Sequence, residues 1–302
     1  MPYGLPLKTF TKRFSTDLKN EIKNDNVSNG AAALAYYWML AIFPAMIALL
    51  SLLPYLPIPN LQQSVMDLLG QMLPGDASKM FTGTVQEVVS QRKGGLLSVG
   101  LLLTVWAASN GMYAIMQQLN ITYDVKEGRS FFKARATAIL LTFLVGALIV
   151  AGLSLVVFGG VIQNTIGSMI GQGSILTTVF AVLRWVIIAA ALTLAFAVTY
   201  YLGPDVEQKF KFISPGSLAG VGALIVASLG FRLYVDHFGK YNATYGSIGA
   251  VIILMLWLNI AGFVILLGSE VNALVEHYNP AGKNKGEKKE GPSAPEAPPQ
   301  AA

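Results

Sequence analysis

The chain has 302 residues, 54% of them hydrophobic and 12% charged, with no cysteine and two histidines. Soluble domains carry about twice that share of charge, so the composition points to a membrane protein. It excludes disulfides, thiolate metal sites and cysteine nucleophiles, and His237 and His277 alone argue against a multi-histidine metal centre.

Residues 1–30 contain no long apolar run, so no cleavable signal peptide is expected before the first span. Leu7, Phe10, Phe14, Leu18 and Ile22 recur at helical spacing, while Lys8, Lys12, Arg13, Lys19 and Lys23 take the other faces. This predicts a basic amphipathic helix. It could lie on an anionic leaflet or cap the bundle from below.

Residues 31–278 read as a six-span membrane domain. The charge-poor stretches are about 31–53, 95–119, 136–160, 176–202, 214–235 and 241–269. A hydrocarbon core about 30 Å thick needs roughly 20 apolar residues in a helix. Pro44 predicts a kink in the first span. Between the first two spans, residues 60–92 carry two short apolar stripes divided by Pro74-Gly75-Asp76, which suit amphipathic helices on the outer surface. Residues 279–302, rich in Lys, Glu, Pro and Ala, are expected to be a disordered tail. The predicted class is therefore an all-α integral membrane protein with six transmembrane helices plus amphipathic interfacial helices.

Basic residues set the expected orientation. One side holds the five of the first helix, then Lys126, Arg129, Lys133 and Arg135, then Lys209 and Lys211, then Lys283, Lys285, Lys288 and Lys289. The other side holds Lys79, Arg92, Lys93 and Lys240. The asymmetry places both termini in the cytoplasm. The net charge of +5 thus lines a membrane surface, which suits anionic lipid and gives no reason to expect a nucleic-acid partner.

Polar residues inside the spans are the functional candidates. Trp106, Asn110, Tyr113, Gln117, Asn120 and Asp124 step by four and three along one face of the second span. Such a stripe should turn away from lipid, either to bond neighbouring helices or to line a substrate path. Asn259, Gly262 and Glu270 form a seam on the last span. Glu270 could couple protons, although a Glu so near the inner end more often pairs with a loop Lys or Arg. Arg184, deep in the fourth span, and Arg232, near the outer end of the fifth, are anion-binding candidates. Arg184 can instead pair with Asp236, and Arg232 can instead snorkel to headgroups. Gly216 with Gly220, and Gly246 with Gly249, permit close helix approach. No catalytic constellation, metal site or cofactor motif is visible.

Three stretches carry a resemblance. AAALAYYWMLAIFPAMIALLSLLP at 31–54, LLSVGLLLTVWAASNGMYAIMQQLNITYDV at 96–125 and YGSIGAVIILMLWLNIAGFVILLGSEVNA at 245–273 resemble the YihY/BrkB family of bacterial inner-membrane proteins. The likeness covers about residues 10–278. It implies six helices in the inner membrane, cytoplasmic termini, and a loose association with envelope integrity, serum resistance and export of lipids or lipopolysaccharide precursors. Some members carry a "ribonuclease BN" label, which fits poorly with the scattered carboxylates here. The leading expectation is a transporter or flippase of an amphipathic, anionic envelope lipid or metabolite, and not an enzyme. A non-transporting membrane scaffold stands second, and a membrane-bound hydrolase or ribonuclease third.

Overall fold

The computed structural model describes residues 7–52, 94–170, 175–238, 242–279 and 283–289. Among these residues the regular elements are all α-helices: α1 (Leu7–Asn24), α2 (Val27–Leu52), α3 (Gly94–Thr122), α4 (Phe131–Ile170), α5 (Ile175–Leu202), α6 (Pro215–Phe238) and α7 (Asn242–His277). Helices follow from the solvent. In hydrocarbon no water meets a backbone N–H or C=O, so each must be paired within its own segment.

Five stretches are long and apolar enough to cross a bilayer: Ser98–Thr122, Phe131–Val156, Thr178–Leu202, Pro215–Val235 and Val251–His277. Helix α2 is 26 residues long and runs through Pro44. At 1.5 Å per residue it spans about 39 Å, so six crossings are consistent with the fold. Leu102, Phe143, Val150, Val182, Trp185 and Val226 are all exposed. In water this would be a large unpartnered apolar surface, whereas in a bilayer it is the lipid-facing wall. The expected surface helices at 60–92 lie outside the described residues.

The chain divides into two packed units, Tyr36–Gly111 and the remainder, Met1–Ala35 with Met112–Ala302. In the smaller unit Tyr36 and Tyr37 meet edge-on at 5.6 Å. There Gly111 leaves room for Trp38, whose ring would sit 2.8 Å from an added Cβ.

In the larger unit α4 packs along α5, α5 against α6, α6 along α7, and α1 against α7. The α6–α7 crossing is set by glycines. A Cβ on Gly216 would stand 2.1 Å from the Gly268 carbonyl oxygen, and one on Gly268 would stand 2.2 Å from the Tyr200 hydroxyl. That hydroxyl donates to the Ile265 carbonyl at 2.7 Å. Gly262 similarly brings α7 against the Ala31 backbone of α2.

Local chemistry ends the helices. Ser214 and Ser217 cap the start of α6 reciprocally, each backbone N–H donating to the other's hydroxyl at 2.9 and 3.0 Å, with Pro215 at the first helical position. Helix α3 stops where Asp124 turns left-handed at φ 54, and the Val125 N–H returns to the Asn120 carbonyl at 2.9 Å. The basic helix α1 packs against α7. The Phe14 ring lies 6.1 Å from that of Tyr278, and the Tyr278 hydroxyl donates to Asp17.

Candidate functional site

Along α3 the polar stripe passes through different surroundings. Trp106 is 57% exposed, Asn110 and Tyr113 are half-buried, Gln117 is exposed, and Asn120 is buried at 4%. Its last members are tied into the larger unit. The Asn120 amide donates to Glu127 at 3.1 Å and its oxygen accepts the Asp205 N–H at 2.7 Å. Asp124 is exposed beyond the helix end, 3.8 Å from Lys285.

The last residue of α3, Thr122, donates to Glu270 of α7 at 3.0 Å. Glu270 is 1% exposed within an apolar span. No Lys or Arg bond to it is found among the described residues, and its other neighbour is a second acid. Asp25, in the turn between α1 and α2, meets the Glu270 carboxyl in hydrogen-bond contact. Burial, then the charges of Asp124 and Glu21, push the Asp25 carboxyl up to about 6. Asn259, higher on the same seam, is half-buried, and Gly262 is buried against α2.

Around these acids the connecting segments form an ion-pair lattice. Arg129, whose side chain is 9% exposed, grips Glu127 through Nε and Nη2, both at 2.7 Å. It also donates to the carbonyls of Leu202 and Gly203 at 3.2 and 2.8 Å. Burial alone would raise the Glu127 carboxyl, but Arg129 holds it below the usual range. Residues 283–289 carry no helix and cross this lattice. Lys283 reaches Glu276 and the Glu207 carbonyl, Lys285 reaches Glu21 at 2.6 Å, Lys288 bonds Asp205, and Lys289 pairs with Glu207 at 2.9 Å.

The two arginines of the spans differ. Arg232 is exposed on α6, the setting in which a long side chain reaches headgroups. Arg184 is half-buried and lies against the Gly159–Gly160 pair of α4, where a Cβ on Gly159 would stand 2.2 Å from its Cδ. Its guanidinium is 5.3 Å from the Trp185 ring centroid, and its buried Nε has no hydrogen-bond partner among the described residues. The Asp236 side chain lies outside what is described. Gly159→Ala should therefore displace Arg184 and cost about 1–3 kcal/mol. In an Arg184→Ala background the same change should cost much less, which a double-mutant cycle of detergent melting curves reads directly.

The profile of the family described as "Virulence factor BrkB" matches residues 18–292. The chain belongs to the BrkB family. Among relatives of this BrkB-family chain is a ribonuclease-like protein, YfkH, of Bacillus subtilis, 38% identical over 246 residues, covering 81% of this chain and 88% of the relative. A UPF0761 membrane protein of Vibrio vulnificus is 26% identical over 269 residues, covering 86% and 82% of the two chains. Another, of Vibrio campbellii, is 29% identical over 277 residues, covering 87% and 82%. No solved structure matches the chain. The chain is thus a membrane protein of the BrkB family.

Of the candidates, Asn120 and Glu270 come together in one region through Thr122 and the end of α3, while Arg184 and Arg232 sit apart on α5 and α6. The lattice and Asp25 escape a search for polar residues within spans, because they lie just outside them. The polar Asn24-Asp25-Asn26 break between an amphipathic helix and a span was the signal available for Asp25.

Proposed function

We propose that this BrkB-family protein is a multi-pass protein of the bacterial inner (cytoplasmic) membrane, with both termini in the cytoplasm, that moves an amphipathic, anionic envelope lipid or metabolite across the bilayer. The observation that carries the reading is the course of the α3 stripe, from half-buried Asn110 and Tyr113 to exposed Gln117 within an apolar span. An exposed amide there needs a polar partner, which a passing headgroup supplies. Arg184, half-buried inside a span on α5, is a guanidinium of the kind that suits an anionic headgroup. A ribonuclease role, as in the name of the Bacillus relative, has less support. Glu127, Asp205, Glu207 and Glu276 are each engaged by Arg129, Lys288, Lys289 or Lys283, which leaves poor metal ligands.

The test is reconstitution into phosphatidylcholine vesicles with a headgroup-labelled phosphatidylglycerol, following its movement between leaflets. The Asn110→Leu, Gln117→Leu double variant should fold normally and slow transfer roughly tenfold, equivalent to about 1.4 kcal/mol at the barrier. Transfer at the wild-type rate would overturn the path. The tight Gly216–Gly268 crossing favours a second reading, a rigid scaffold. In that case wild-type protein should transfer no lipid above empty vesicles.

A further inference from the structure

Helix α2 begins against α7, with Gly30 beside Leu266 and Ala31 beside Gly262. One helical turn further toward the charged end, this antiparallel seam brings Asp25 to Glu270. Both are acids, and a carboxyl group can hydrogen-bond another only if one of the two carries a proton. The surrounding groups sharpen the requirement. Glu21 faces the pair from α1, and Asp124 faces Asp25 from beyond the end of α3. The cation facing Asp25 is Lys285, which is also shared with Glu21 and Asp124. From α3, Thr122 is neutral and gives its hydroxyl to Glu270. His277, further along α7, faces Glu21, Asp124, Glu276 and Lys285. One Asp25 oxygen, Oδ2, is buried without a partner among the described residues. The arrangement thus holds more acid than base around a carboxyl that is 1% exposed.

We propose that Asp25 and Glu270 hold one shared proton, which fastens the α1–α2 corner to α7, and that losing it at alkaline pH loosens this corner. Two carboxyls in contact titrate as a unit, so the first proton binds tightly and the second weakly. The inference does not depend on whether the protein transports anything.

Burial and its acidic neighbours raise the folded Asp25 carboxyl from 3.8 to about 6. The folded state therefore binds more protons than the unfolded state between these values, and stability must fall as pH rises through that window.

The full chain in phosphatidylcholine nanodiscs supplies the test. Its melting temperature should fall by roughly 5 °C in all between pH 4 and 8. Infrared spectra at pH 7 should show a protonated carboxylic acid. Glu270→Gln and Asp25→Asn each supply a permanent N–H donor to the remaining carboxylate. Each should flatten the melting profile, abolish the acid band, and melt at or above wild type at pH 8. A carboxyl protonated by burial alone would keep its band in Asp25→Asn, and that result would overturn the sharing. So would a wild-type profile parallel to that of Glu270→Gln across the whole range.

Discussion

Replacing Arg129 by alanine should cost roughly 3–5 kcal/mol, the usual penalty for stripping a buried charge of its partner. The side chain makes four hydrogen bonds to three separate acceptor groups: the Glu127 carboxylate and the carbonyls of Leu202 and Gly203. Alanine leaves all of them underbonded where water has poor access, and breaks the link between the α3–α4 connection and the end of α5. Lysine keeps the charge but offers no planar fork, so Arg129→Lys should recover less than half of the loss. The pH dependence supplies a second readout. Glu127 titrates below its ordinary 4.5 when folded, so its contribution is present above that value and disappears as pH falls through the folded value. Arg129→Ala should erase this acid limb. Melting curves of the three proteins at pH 7 and at pH 4 check both points, and a silent Arg129→Ala would show that water already solvates Glu127.

Alanine at Gly268 should be comparably damaging, about 3 kcal/mol or more, because its Cβ would meet the Tyr200 hydroxyl at 2.2 Å and the Gly216 carbonyl oxygen at 2.8 Å. Side chains can turn aside, but a carbonyl in a helix cannot. Tyr200→Phe should therefore rescue part of the Gly268→Ala loss by removing one obstacle. It should do nothing for Gly216→Ala, whose Cβ would meet the Gly268 carbonyl oxygen at 2.1 Å. Lipid tails provide no hydrophobic drive between helices, so a forced separation of α6 and α7 loses dispersion contacts with little in return. Thermal stability of the four variants in one detergent is the measurement, and equal rescue of both glycine variants would contradict the geometry.

The helices were legible because a bilayer imposes one simple rule on sequence: long runs without charge. Each described apolar stretch answers to that rule, and Asn120 and Glu270 stood out as exceptions to it. Their partners were harder to read. Thr122 looks like an ordinary helix-end threonine, and its bond to Glu270 joins residues 148 positions apart. Arg129 and Lys288 sit in the segments that any membrane protein fills with basic residues, so their charge signalled orientation while their geometry stayed hidden. Gly159 resembles many other glycines of the spans until Arg184 is seen lying against it. Period and composition record what a residue faces in general, whereas pairings across long separations depend on how the helices finally meet.

The ion-pair lattice also has an order in time. Translation makes residues 283–289 after all seven described helices, yet these residues supply the cations for Glu21, Asp205, Glu207 and Glu276. Until they emerge, the acids on α1, on α7 and on the connection after α5 lack these lysines, and of the four Asp205 alone has an earlier-made partner among the described residues, Arg129 at 3.8 Å. The bundle can insert early, but its charged end can close only once residues 283–289 have left the ribosome. Ribosome-stalled chains ending at residue 280 should accordingly leave α1 accessible to protease, and chains released after residue 289 should protect it.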